Sequence, residues 1–146
     1  MRWAVAAVAA LSVAAAAALP VYGEPQKAAA GVKTVASVVE IMKTMTIPFS
    51  NAVFDGAGEP PKDDKGWEAV RQQAIALAEA GNLLMIGSRA KDPAAWMKFS
   101  RAQVDAAEVA AKAAAAKNAD QLSAASDALY ETCANCHKVY MKDSVK

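Results

Sequence analysis

Cysteine and histidine are scarce in this chain, whose 146 residues include two cysteines and one histidine. Two cysteines are too few for the disulfide framework of a small secreted scaffold. A structural zinc site normally takes four Cys and His ligands, whereas this chain offers three, and Cys136 and His137 are adjacent. A thioredoxin-type dithiol would accompany a βαβ pattern, and no strand-like pattern is found. These absences leave few uses for the two thiols.

An excess of charge of either sign is also missing. Sixteen Lys and Arg residues stand against fifteen Asp and Glu residues, which gives a formal net charge of +1. A nucleic-acid-binding domain would show a basic stripe, so no nucleic-acid partner is expected. The glycines are scattered as breaks and form no phosphate-binding loop.

Both cysteines and the histidine lie in one short motif, Cys133-Ala134-Asn135-Cys136-His137. Cys-x-x-Cys-His is the attachment sequence of a c-type haem. Residues i, i+3 and i+4 share one face of a helix, so the two thiols can bond to one porphyrin edge while the imidazole reaches the iron. The motif therefore predicts one covalent haem c on Cys133 and Cys136, with His137 as the proximal iron ligand. A structural disulfide is the other reading.

The prediction of a haem uses the only histidine in the chain. No Ser/His/Asp set then remains for nucleophilic catalysis. We therefore expect no enzymatic activity.

Residues 1–23 resemble a secretory signal peptide. Met1-Arg2 is a short basic start, Trp3 to Leu19 is an apolar, alanine-rich run, and small or modest residues precede Gly23. Cleavage near Gly23 would leave residues 24–146 as one domain. Export agrees with haem chemistry, because bacteria attach c-type haem outside the cytoplasm, so a periplasmic location is expected. The alternative is a retained membrane anchor, although the run is short and Pro20 ends it.

Glycine and proline divide the rest of the chain into four helical stretches. The first is expected from about Val32 to Ile47, where Pro48 interrupts it, and a polar loop follows from Asp55 to Gly66. The second is expected from about Lys65 to Ile86, with Asp64 as its N-cap.

The third helix is expected to start at Asp92-Pro93, with an N-cap followed by a proline. The fourth should start at Asn118, with Gln121 in a capping-box arrangement. Short connections imply antiparallel neighbours. The predicted fold is all-α, an antiparallel up-down-up-down four-helix bundle with the haem motif on the inner face of the last helix.

A haem motif near the C-terminus, on the last of four helices, resembles the class II c-type cytochromes. This family includes cytochrome c-prime and the low-spin cytochromes c-556, and the resemblance covers about Val32 to Lys142. It implies the bundle fold, one haem and an iron ligated by His137. Family members often pair through their first two helices, so the resemblance admits a homodimer as well as a monomer.

The resemblance also suggests what fills the sixth position of the iron. In the c-556 branch a methionine of the first helix is the distal ligand, and in the c-prime branch an apolar residue blocks the site. Met42 lies roughly 15 Å into the first helix and the haem motif roughly 8–14 Å from the end of the last, at about 1.5 Å per residue. Met42 is therefore the predicted ligand and Met45 the runner-up. The same arithmetic admits Met85 and Met97.

A further site residue follows from a departure from the family. The first helix lacks the arginine that many members place near a haem propionate. Lys33 or Lys43 could replace it as a point charge. Arg89 and Lys91, in the turn after the second helix, lie at the right end of the bundle, and Arg89 is the predicted haem-binding cation.

Together these features predict a periplasmic one-electron carrier with a His/Met-ligated low-spin haem, whose partners are periplasmic redox proteins. Lys138, Lys142 and Lys146 could steer an acidic partner. The alternative is a five-coordinate, c-prime-like protein that binds small gases such as NO and CO. A third reading is a helical bundle without haem.

Overall fold

The structure is a computed structural model that describes residues 32–141. These residues form helices and contain no strand, which confirms the all-α prediction. Four long helices follow one another. Helix α1 is continuous and consists of Val38–Ile41, a π-helical segment Met42–Thr46 and Ile47–Gly58, and the others are α2 (Asp64–Leu84), α3 (Ala95–Ala115) and α4 (Ala119–Tyr140). A 3-10 turn, Gly87–Arg89, follows α2. None of the helices in the described range is long and apolar enough to cross a membrane.

Helix α1 differs from the prediction at both ends. It begins after Ser37, whose side chain forms a reciprocal capping box with Glu40, and not near Val32. It also continues through Pro48, where a break was expected. A proline inside a helix lacks an N–H, and its ring collides with the carbonyl four residues earlier. The π-helical segment directly before Pro48 widens this turn, because Ile47 N donates to Met42 O, five residues back.

The continuation of α1 shortens the connection to α2. Residues 55–58, assigned from the sequence to a loop, belong to the helix, and only residues 59–63 separate α1 from α2. The N-cap of α2 is Asp63, whose Oδ1 accepts from Gly66 N at 2.7 Å, and not Asp64. The predicted cap of α4 is confirmed, because Asn118 Oδ1 accepts from Gln121 N at 2.9 Å. The predicted start of α3 is wrong: the helix begins at Ala95 with Ala94 as its N-cap, although Asp92 Oδ1 accepts from Trp96 N at 3.2 Å.

Small residues allow the helices to approach closely. Helix α2 packs most extensively on α3, and α3 packs on α4. A Cβ added to Gly81 would lie 2.8 Å from Val104 Cγ2, so the neighbouring helix accounts for this glycine within α2. The interior is rich in alanine, and its largest fully buried side chains are Ile41, Val53, Leu77, Leu122 and Leu129.

A second, smaller cluster closes the end of the molecule where α2 stops and α3 starts. Its buried members are Ile41, Ala80, Leu84 and Trp96. Trp96 Nε1 donates to Leu84 O at 2.8 Å, which satisfies both the buried indole and a carbonyl in the last turn of α2. This cluster fixes α1 against the α2–α3 turn and so forms the floor of the site described next.

Candidate cofactor site

The Cys-x-x-Cys-His motif lies near the end of α4, within regular α-helix. Cys133 and Cys136 are half-buried and His137 is exposed, and all three line one cavity. The helix therefore presents two sulfurs and an imidazole to the same space, as the spacing predicted. Both cysteines are free thiols. Burial raises the pKa of the Cys133 thiol, and burial together with the neighbouring Cys133 raises that of Cys136.

The cavity has a volume of about 750 Å³, within the range of roughly 300–1,000 Å³ that is usual for cofactor pockets. Parts of α1, α3 and α4, the end of α2 and the turn after it form its walls. The lining side chains outside the motif include Val38, Val39, Met42, Lys43, Thr46, Ile47, Ser50, Phe54, Leu84, Lys91, Trp96, Phe99, Ser100, Gln103, Tyr130, Thr132, Tyr140 and Met141. The wall is mainly apolar and aromatic, which suits a large flat ring.

The structure distinguishes among the candidate methionines. Met42 lines the cavity, on the α1 wall. Met45 and Met97 pack against the second, smaller cluster, and Met85 packs against the larger, alanine-rich core. None of these three methionines lines the cavity. Met141 also lines it, but from the position directly after α4, four residues after His137.

Arg89 is not among the cavity-lining residues. Its side chain is 7% exposed, its Nε donates to Ala36 O at 2.8 Å, and its Nη1 donates to Leu83 O at 3.1 Å. The guanidinium thus joins the segment before α1 to the end of α2, where helix carbonyls lack partners within the helix. These contacts give Arg89 a structural role and do not support its predicted role at a propionate. The cations that do line the cavity are Lys43 and Lys91, both exposed.

Buried polar side chains concentrate at the cavity, and sequence reasoning missed them. Residues 32–141 contain five buried polar or charged side chains, namely Arg89 and the four cavity-lining residues Thr46, Ser50, Ser100 and Gln103. Gln103 Nε2 donates to Leu77 O at 3.3 Å. Thr46 Oγ1 is buried without a hydrogen-bond partner. Such a hydroxyl costs roughly 1–3 kcal/mol while it stays unpaired in the interior.

Aromatic residues close one side of the cavity around Tyr140. Its ring meets Trp96 edge-on, with centroids 4.9 Å apart, and Phe99 at 6.3 Å. Its hydroxyl donates a hydrogen bond to Asp92 Oδ2, which raises the pKa of Tyr140 to about 12 and lowers the pKa of Asp92. Trp67 lies in the larger core cluster and does not line the cavity.

Comparisons of this chain with protein-family models, with curated proteins and with solved structures found no match. The assignment of a cofactor therefore depends on the motif and on the geometry of the cavity.

The residues at the cavity fit a covalently held haem. Two thiols and one imidazole on a single helical face meet an apolar space of suitable size, and a thioether stands on a different helix. Within residues 32–141 no group of three or more His, Cys, Asp and Glu side chains could hold a metal ion. A haem iron needs fewer ligands from the protein, because the porphyrin supplies four nitrogens and the chain supplies only the axial ligands.

Proposed function

We propose that the chain is a monohaem c-type cytochrome, similar to the class II cytochromes, that carries single electrons in the bacterial periplasm. The observation that carries this proposal is the shared cavity. The Cys133, Cys136 and His137 side chains line it from α4, and Met42 lines it from α1.

Each of these side chains would have a distinct task. Cys133 and Cys136 would hold the porphyrin through thioether bonds, and His137 would ligate the iron on the α4 side. Lys43 and Lys91 would pair with the propionates as point charges. When bound, the haem supplies an iron that gains and loses one electron.

Met42 would be the distal ligand. A thioether is a soft ligand that favours ferrous iron and raises the reduction potential. The apolar and aromatic wall, including Trp96 and Phe99, acts in the same direction, because a low-dielectric environment disfavours the additional positive charge of ferric iron. Such a site suits a carrier of relatively high potential.

The finer topology of the proposal is an antiparallel up-down-up-down bundle. Three contacts between α2 and its successor support it for this pair. Trp96 bonds to Leu84, Gln103 bonds to Leu77, and Lys117, just after α3, bonds through Nζ to Asp64 Oδ1 at 2.7 Å. Steps forward along α3 match steps backward along α2, as in antiparallel helices. The short α3–α4 connection favours the same relation for the next pair.

The proposed location and partners follow from the sequence. Residues 1–23, the predicted signal peptide, lie outside the described residues, as do Lys142 and Lys146. Lys138 is exposed next to His137 on α4, where it would attract an acidic surface of a redox partner.

The proposal can be tested on the full chain, expressed in a bacterium that exports proteins and attaches c-type haem. We expect a band that stains for covalent haem on a denaturing gel. The reduced protein should show a low-spin spectrum that carbon monoxide does not alter. Cys133→Ser with Cys136→Ser should abolish the stain, whereas Ser126→Ala, on the same helix, should leave it unchanged.

Two outcomes would overturn all or part of the proposal. A colourless wild-type protein with two free thiols would exclude the cytochrome altogether. Covalent haem with a high-spin spectrum that takes up carbon monoxide would replace the electron carrier with the five-coordinate, gas-binding alternative.

A further inference from the structure

The hydroxyl groups along α1 are not all satisfied in the same way. Thr44 Oγ1 donates to Glu40 O at 2.6 Å, and Ser50 Oγ donates to Ile47 O at 3.1 Å. Such bonds to a backbone carbonyl three or four residues earlier are the usual solution for Ser and Thr inside helices. Thr46 is the exception, because its hydroxyl is buried, with the residue 5% exposed, and has no partner.

Thr46 is the last residue of the π-helical segment of α1. Four residues before it stands Met42, whose carbonyl oxygen already accepts from Ile47 N across the π turn. The Thr46 side chain lies on the cavity wall, as does that of Met42 one turn earlier. Thr46, a donor without a partner, and Met42, whose thioether we propose as the distal iron ligand, therefore line the same wall. π turns often occur at functional sites.

We infer that Thr46 is a positioning residue for the electron carrier: when Met42 ligates the haem iron, the Thr46 hydroxyl donates a hydrogen bond to the Met42 sulfur and so raises the reduction potential. This inference rests on the proposed function. A thioether sulfur is a weak acceptor, but the bond gains strength where the donor is buried in a low-dielectric environment, as the Thr46 hydroxyl is.

The direction of the effect follows from electrostatics. A hydroxyl that donates to the sulfur directs the positive end of its dipole toward the iron. Ferric iron carries one more positive charge than ferrous iron and is disfavoured more by this dipole. Removal of the hydroxyl should therefore stabilise the oxidised protein.

The test compares two threonines of one π segment in the haem-loaded protein. Thr46→Val keeps the shape and removes the buried hydroxyl, whereas Thr44→Val removes an exposed hydroxyl that is bonded locally. At a fixed ambient potential, Thr46→Val should lower the ratio of reduced to oxidised protein roughly threefold. The free energy that corresponds to this change lies near the lower end of the range for one hydrogen bond. This equals about 28 mV for a one-electron couple. Thr44→Val should leave the ratio unchanged.

A spectroscopic readout and two further variants separate the hydroxyl from packing. The sulfur-to-ferric-iron charge-transfer band should move to longer wavelength in Thr46→Val, because the sulfur gives up its electrons more readily. Thr46→Ser keeps the donor and should retain the wild-type potential, whereas Thr46→Ala should behave like Thr46→Val. If Thr46→Val does not mature, the Ser and Ala pair gives the same comparison.

The inference and the proposed function fail in different ways. A low-spin wild type whose potential is the same in Thr46→Val or Thr46→Ala would overturn the inference alone. Equal shifts in Thr46→Ser and Thr46→Ala would also overturn it, because packing would then be the cause. A wild type without low-spin covalent haem would overturn both.

Discussion

Tyr140, in the last turn of α4, donates a hydrogen bond to Asp92 Oδ2, while Asp92 Oδ1 accepts from the backbone N–H groups of Ala94 and Trp96. One carboxylate therefore organises the start of α3 and holds the end of α4 against it. His137 lies one turn before Tyr140, so this contact fixes the part of α4 that presents the imidazole.

The Asp92–Tyr140 hydrogen bond predicts a pH-dependent stability. The bond raises the pKa of Tyr140 from 10.0 to about 12, and a raised pKa in the folded state stabilises the protein below the unfolded value. This contribution should disappear as the pH rises from about 10 to about 12. The pKa of Asp92 is lowered, so its contribution should disappear as the pH falls through the acidic range.

Tyr140→Phe keeps the aromatic contacts and removes the hydroxyl, so it tests this prediction. At neutral pH the variant should have a lower free energy of unfolding than the wild type, measured by denaturant titration. The difference should shrink both above pH 10 and in acid. Tyr130→Phe, at a 62% exposed position of the same helix, is the control and should show no such window. A difference that is constant across pH would contradict the assigned hydrogen bond.

If the proposed function is correct, Met42→Leu should convert the reduced, haem-loaded protein from low-spin to high-spin and open it to carbon monoxide. Leucine fills a similar volume without a ligating sulfur, so the fold should lose less than about 1.5 kcal/mol of stability. Met45→Leu is the matched control, because Met45 packs in the adjacent cluster and does not line the cavity. Optical spectra of both variants show which of the two methionines ligates the iron. High-spin haem in Met45→Leu and low-spin haem in Met42→Leu would make the runner-up the ligand.

Arg89→Met should destabilise the fold by about 1–3 kcal/mol, because it leaves the Ala36 carbonyl without its donor and Leu83 O with only the long bond from Ile86 N at 3.4 Å. The haem spectrum of the folded protein should not change. Arg101→Met, at an exposed position of α3, should leave stability within about 0.5 kcal/mol of the wild type. Unfolding curves and absorption spectra test both statements. An altered spectrum at unchanged stability would restore Arg89 as a haem contact.

Gly81→Ala should lower the free energy of unfolding by about 1–2 kcal/mol, because the new Cβ would press on Val104 and outweigh the gain in helix propensity. Gly58→Ala is the control, since no atom lies within 4 Å of a Cβ built there, and it should be neutral or stabilising. Thermal or denaturant unfolding measures the pair. A stabilised Gly81→Ala would mean that α2 and α3 separate without cost.

The features that could be predicted from the sequence are those encoded by local spacing. The face shared by Cys133, Cys136 and His137 follows from helical periodicity, and the Asn118 cap follows from side-chain chemistry. Both need information from only four or five consecutive residues. They were therefore correctly placed without knowledge of the packing.

The features that could not be predicted depend on contacts between distant parts of the chain. Pro48 indicated a break, but a π segment absorbs the proline within one helix. Arg89 was expected to face the cofactor, but a carbonyl 53 residues earlier, that of Ala36, takes its Nε donor. The sequence does not reveal that the Thr46 hydroxyl lacks a hydrogen-bond partner, because the surrounding structure determines which acceptors are within reach.

The π segment of α1 also sets the rotational phase of the helix. A π turn holds an additional residue, so the side chains before Met42 and those after Thr46 follow two helical patterns offset by about 100°. Ile41 and Val53 are nevertheless both buried. If this segment were regular α-helix at its present length, one half of α1 would turn its apolar face toward water, whereas deletion of one of its residues would restore the alignment.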